Sequence, residues 1–78
     1  MSERPAKHSL TIKGHRTSVS LEREFWDAFR AIAKSKGLPL NELAAQIDAE
    51  RDFEQGLASA IRIYVLAHYQ ALSGETDK

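Results

Sequence analysis

The hydrophobic period of the sequence changes near residue 21, and this change constrains the fold more than any other feature. In "RTSVSLE", polar and apolar side chains alternate. Side chains of a strand point alternately to opposite faces, so this spacing predicts a strand from about His15 to Leu21. One face carries Thr17, Val19 and Leu21, and the other carries Arg16, Ser18 and Ser20. The first face suits a core, and the second suits a polar surface.

Three helices are predicted after the strand, because the apolar spacing becomes helical from Glu22 onward. Gly37 suits the left-handed conformation with which helices commonly end. Pro39 fits the first turn of a second helix, and Gly56 indicates a break before a third. The apolar stripes are Phe25, Trp26, Phe29, Ile32 and Ala33; then Leu40, Leu43, Ala44 and Ile47; then Leu57, Ile61, Tyr64, Val65, His68 and Leu72. Each stripe indicates one buried face per helix.

The predicted strand needs a partner, since an unpaired strand leaves its backbone N–H and C=O groups unsatisfied. "HSLTIKG" offers a short extended piece with Leu10 and Ile12 on one face, and Gly14 is expected to be a bulge or turn that resets the register. A hairpin with this piece would be a marginal two-stranded ribbon. We therefore expect one short strand per chain, paired antiparallel with the same strand of a second copy. The dimer core is then expected to contain Val19, Leu21, Phe25 and Phe29.

Length and composition support oligomerisation. A chain of 78 residues buries only ~60% of the surface that it exposes when unfolded. With no cysteine, disulfides and thiolate metal sites are excluded. No stretch approaches the ~20 apolar residues of a membrane span, and the N-terminus lacks the apolar middle of a secretion signal. We expect a soluble cytoplasmic protein without a membrane partner.

The net charge is zero, but the charges are distributed unevenly. Residues 1–37 contain eight basic and four acidic residues, a net charge of +4, whereas residues 38–78 contain three and seven, a net charge of −4. The predicted strand therefore lies in the basic half, which favours a polyanionic partner there.

The junction between the strand and the first helix resembles a known family. "GHRTSVSLEREFWDAF", followed by "GLPLNELAAQIDAE" and "ASAIRIYVL", is similar to the ribbon-helix-helix DNA-binding proteins, and specifically to a bacterial subgroup with a third helix. The resemblance implies a mainly α homodimer whose intermolecular two-stranded ribbon enters the major groove of double-stranded DNA. Residues 1–7 are then a flexible arm, 8–72 the domain with its extra helix, and 73–78 a flexible tail.

The resemblance also implies roles for individual residues in transcription regulation. The base-reading residues would be Arg16, Ser18 and Ser20. Arginine can contact guanine through two hydrogen bonds, and serine can donate to or accept from several bases. The phosphate-binding residues would be Lys13, Arg23, Leu40 and Asn41. The last two lie at the start of the second helix, where free amides carry partial positive charge.

Other interpretations of the same residues stay open. The polar face of the strand can be a solvated surface alone. Catalysis is disfavoured because the sequence has no nucleophile elbow, no metal-ligand spacing and no Gly-rich phosphate loop, so we expect no enzyme activity, cofactor or metal. The main competitor is a homodimeric protein-interaction module with weak or no DNA binding. Its acidic C-terminal half would bind the partner through Asp48, Glu50, Asp52 and Glu54.

Overall fold

A computed structural model describes residues 4–74, which form two strands followed by three helices. The elements are β1 (Ala6–Ile12), β2 (His15–Leu21), α1 (Arg23–Lys36), α2 (Leu40–Glu50) and α3 (Leu57–Ser73). The prediction of a mostly helical fold with a two-stranded antiparallel sheet and three helices is confirmed.

Both strands belong to one chain, so the predicted count of one strand per chain is corrected to two. β1 runs antiparallel to β2, with Ala6 opposite Leu21 and Ile12 opposite His15. The turn between them consists of Lys13 (φ 52°) and Gly14 (φ 81°). Positive φ at both residues is the type I′ geometry, whose twist matches that of the flanking strands. The hairpin is stable because its inner face packs on the helices, which an isolated ribbon could not do.

The helix ends follow local sequence signals. Gly37 ends α1 in the left-handed conformation, at φ 69°, and its N–H donates to the Lys34 carbonyl at 3.0 Å. Pro39 is the N-cap of α2 rather than a residue of its first turn, one position earlier than predicted. Gly56 is the N-cap of α3, which places the predicted break correctly.

The core lies between the inner face of the hairpin and the three helices, and it closes within one chain. The hairpin contributes Leu10, Ile12, Val19 and Leu21, and the helices contribute Phe29, Ile32, Ala33, Leu43, Ala44, Ile47, Ala60, Ile61 and Val65. Phe25 is half-buried beside them. The four residues predicted for a dimer core therefore lie in or against the core of a single chain.

Two predicted segment boundaries differ from the structure. β1 includes Ala6 and Lys7, which were assigned to the arm, and α3 continues to Ser73, the first residue of the predicted tail. The rest of the arm and tail that falls on 1–3 and 75–78 lies outside the described residues. Within 4–74, no helix is long and apolar enough to cross a membrane.

Candidate nucleic-acid interface

The outer face of the hairpin is a polar surface with contributions from both strands. β2 contributes Arg16, Ser18 and Ser20, and β1 contributes Thr11, Ser9 and Lys7 directly opposite them. All six residues are exposed. We call these six residues the ribbon face. The structure thus places the three predicted base-reading residues side by side on one surface.

Sequence analysis missed the β1 half of the ribbon face. "KHSLTI" alternates polar and apolar residues, as β2 does. The two residues Lys13 and Gly14 separate these two alternating runs. That arrangement is a hairpin signal. The prediction of one strand rested on the marginal stability of an isolated two-stranded ribbon, and it did not count the helices that cover the inner face of the hairpin.

The hairpin is basic throughout. Residues 6–21 contain three Arg and Lys residues and no acidic residue. Two of the cations, Lys7 and Arg16, belong to the ribbon face, and Lys13 is exposed at the turn. Such a surface attracts phosphates without sequence preference.

The outer edge of β2 is open among the described residues, since the sheet has β1 as its one other strand. In a two-residue hairpin the pair that flanks the turn is hydrogen-bonded, and such pairs alternate with non-bonded ones. Arg16, Ser18 and Ser20 therefore direct their backbone N–H and C=O groups away from β1. The Ser20 carbonyl lies 3.5 Å from Nη2 of Arg62 on α3.

The start of α2 is attached to the opposite edge of the hairpin. The Thr11 N–H donates to Oδ1 of Asn41 at 3.0 Å. The Pro39 carbonyl accepts from the amides of Glu42 and Leu43, at 3.0 and 3.1 Å, which leaves the Leu40 and Asn41 amides at the positive end of the helix. The oxygen of the Asn41 side chain is already an acceptor, so an anion would meet backbone amides here.

Lys13 lies two residues before the start of β2, and Arg23 lies two residues after its end. Arg23 is exposed at the start of α1, and its Nε lies 3.9 Å from an Asp27 carboxylate oxygen. A long ion pair between exposed groups is weak. The Arg23 guanidinium therefore stays available to a phosphate.

An ion pair fixes the junction between β2 and α1. Arg62 donates to Glu22 Oε1 at 2.9 Å, and its guanidinium carbon lies 5.9 Å from the centre of the Phe25 ring. The hydrogen bond from Arg62 lowers the pKa of the Glu22 carboxyl. This pairing offsets a negative charge that would otherwise repel phosphates at the end of the ribbon face. The two residues lie 40 positions apart in the sequence, so no local pattern indicated their contact.

The serines of the ribbon face have no histidine beside them on that face. His8 and His15 belong to the opposite side of the hairpin, where the His8 ring stacks on Trp26 with centroids 4.0 Å apart. Within 4–74, no group of three His, Cys, Asp or Glu side chains is arranged to hold a metal ion. The exposed hydroxyls of the ribbon face, together with Lys7 and Arg16, suit it to hydrogen bonding and charge recognition.

Comparison with known proteins agrees with this architecture. The family model described as the ribbon-helix-helix domain matches residues 5–69, which include both strands, α1, α2 and most of α3. No curated protein and no solved structure matches the chain. The matched family consists of non-enzymatic DNA-binding domains. The chain therefore belongs to the ribbon-helix-helix domain family.

Proposed function

We propose that this protein is a homodimeric transcriptional regulator of the bacterial cytoplasm that binds specific sequences of double-stranded DNA. The observation that carries this proposal is the ribbon face, a polar, cation-bearing surface on a hairpin without acidic residues. A β-ribbon can enter the major groove, where each base pair presents a distinct pattern of donors and acceptors. In this role Arg16, Ser18 and Ser20 contact base edges.

The dimer forms through the open edge of β2. Full overlap of β2 with its symmetry mate places the two-fold axis at Ser18, the central residue of His15–Leu21. Ser18 then lies opposite the partner's Ser18, and Arg16 lies opposite the partner's Ser20. Because β1 stays paired within each chain, the sheet of the dimer has four strands, with the two copies of β2 at its centre.

The width of this sheet assigns different roles to the strands. Neighbouring strands lie about 4.8 Å apart, so four strands are roughly 14 Å wide, more than the ~12 Å of the major groove. The central β2 pair therefore reads bases, and the β1 strands lie towards the groove walls. Lys7, at the outer side of the ribbon face, then meets phosphates. The other phosphate ligands are Lys13, Arg23 and the amides of Leu40 and Asn41.

The test compares two exposed arginines, one on the ribbon face and one on α1. Wild type, Arg16→Ala and Arg30→Ala are titrated against a pool of labelled duplexes from bacterial promoter regions, and anisotropy is measured at two salt concentrations. If Arg16 reads guanine, its loss costs ~1–3 kcal/mol of preference for the selected sequence. Arg30→Ala removes the same charge and should keep that preference. Equal sequence preference in all three proteins would remove Arg16 from base reading.

One observation favours the second candidate, a protein-interaction module. Phe53 is 97% exposed in the segment between α2 and α3, and acidic Asp52 and Glu54 flank it. An exposed aromatic side chain among carboxylates suits a basic protein partner. This function is favoured if Arg16→Ala leaves activity intact while charge reversal at Glu50 and Glu54 abolishes it.

A further inference from the structure

The C-terminal half of α3 carries apolar side chains that the core does not cover. The buried residues of this helix end at Val65, yet the helix continues for eight residues to Ser73. Leu66, Tyr69 and Leu72 are 56%, 43% and 71% exposed. Each is three positions from the next, so they are neighbours on the helix surface. We call these three residues the α3 patch.

The α3 patch begins beside the open edge of β2. Arg62, whose guanidinium reaches the Ser20 carbonyl at that edge, precedes Leu66 by four residues and Tyr69 by seven. These spacings place all three on one side of the helix. The His68 ring stands edge-on to the Tyr69 ring, with centroids 5.1 Å apart. The patch is therefore continuous with the edge through which the dimer is proposed to form.

We propose that the α3 patch packs against the second copy of this chain in the ribbon dimer. This inference rests on the dimer described under the proposed function. A stable interface covers about 800 Å² on each partner. Pairing of the β2 edges supplies mainly backbone hydrogen bonds, and the ribbon face must stay open to DNA. The α3 patch supplies the apolar area that this interface otherwise lacks.

The proposed register indicates the surface on the second copy that receives the patch. A cavity of about 270 Å³ lies beside the hairpin turn, and its lining includes Ile12, Thr17 and Leu57. Leu57 opens α3 near the start of β2, and Arg62 contacts the end of β2, so α3 projects past Leu21. Pairing centred on Ser18 brings the partner's His15 opposite Leu21. The cavity of each copy therefore lies at the end from which the α3 patch of the other copy projects.

The experiment compares Leu66 of the α3 patch with Ile63, a residue of equal exposure one turn earlier, whose side chain lines a cavity beside α2 together with Ile47 and Glu50. Leu66 is 56% exposed and Ile63 is 57% exposed, and each is replaced by glutamine in the full chain. Sedimentation velocity over a range of concentrations gives the dimer dissociation constant. We expect Leu66→Gln to raise it about tenfold, because the two-fold dimer contains the patch twice. Ile63→Gln should change it less than about threefold. Tyr69→Gln is a second patch variant, and circular dichroism checks the fold of each protein.

A cysteine variant separates this inference from the proposed dimer. The chain has no cysteine, and a hydrogen-bonded antiparallel pair has Cα atoms ~5.5 Å apart, within disulfide range. Ser18→Cys should therefore cross-link two copies on oxidation. Ser9→Cys, opposite it on β1, should not, because the two β1 strands would be roughly 14 Å apart.

Three outcomes of the sedimentation and cross-linking experiments distinguish the α3 patch from the ribbon dimer. A larger dissociation constant for both patch variants than for Ile63→Gln, with Ser18→Cys cross-linking, supports the proposal. Cross-linking at Ser18 with equal dissociation constants for Leu66→Gln and Ile63→Gln overturns the α3 patch and leaves the ribbon dimer intact. A monomeric wild type without cross-linking at Ser18 overturns both.

Discussion

Lys13 has an unfavourable backbone conformation at a position where the proposed DNA interface uses its charge. Its φ of 52° is in the left-handed region, which costs a residue such as lysine about 1–2 kcal/mol. Asparagine is favoured in this position of a type I′ turn. Lys13→Asn should therefore raise the free energy of unfolding by ~1 kcal/mol. It should also weaken DNA binding for all sequences alike and lower the salt slope by about 1 per copy.

Urea melts and DNA titrations at several salt concentrations measure these two effects of Lys13→Asn. Lys34→Asn, in the last turn of α1, removes a lysine from ordinary helical backbone and is the control. An unchanged salt slope for Lys13→Asn would mean that Lys13 does not contact a phosphate.

Glu22 makes part of the folding free energy dependent on pH. Arg62 lowers the pKa of this carboxyl in the folded chain. A group with a lowered folded pKa stabilises the fold above its unfolded pKa and loses that contribution as the pH falls through the folded value. Glu22→Gln should therefore be less stable than wild type at pH 7, and the difference should shrink in acid.

Urea melts between pH 3 and pH 7 test this expectation for Glu22. Glu54→Gln removes a carboxylate from an exposed residue outside the helices and controls for net charge. A stability difference that stayed constant down to pH 3 would show that the carboxylate of Glu22 is not the source.

β2 is the element in which alternate residues serve the core and the candidate DNA surface. Val19 is buried, whereas its neighbour Ser18 is exposed on the ribbon face. Val19→Asp buries a charge without a partner, which costs several kcal/mol, comparable to the whole stability of a small domain. We expect it to lose its helical circular dichroism signal. Ser18→Asp should keep that signal and lose DNA binding, because its carboxylate would face the DNA. Folded Val19→Asp protein would contradict the assignment of the two faces.

The elements show what could be predicted from local sequence. The face assignment of β2 and the end of α1 at Gly37 follow from patterns within a few residues, and both were predicted. The pairing of β1 with β2 was not predicted because an isolated two-stranded ribbon is marginally stable, and its cover by the three helices is a tertiary feature. The attachment of α2 to the hairpin was not predictable, since Thr11 and Asn41 are 30 residues apart. Contacts of this kind depend on tertiary packing, which a single sequence does not display.

At the scale of the whole molecule, the core closes within one chain, so a second copy is not needed to bury it. The hairpin pairs β1 with β2 inside one chain, and the core is buried without a second copy. In the proposed dimer, the second copy therefore doubles the ribbon face and covers the α3 patch. Pairing at an open edge still stabilises the fold by mass action, because unfolded chains do not dimerise.

The midpoint of urea unfolding tests how far folding and dimerisation are linked. For a protein that unfolds from a dimer, each tenfold increase in concentration adds about 1.4 kcal/mol to the apparent stability. We expect the midpoint to rise between micromolar and hundred-micromolar protein, and Leu66→Gln to weaken that dependence. A midpoint that ignored concentration would mean that the single chain folds alone. The two ribbon faces would then come together on DNA, where paired half-sites hold two copies side by side.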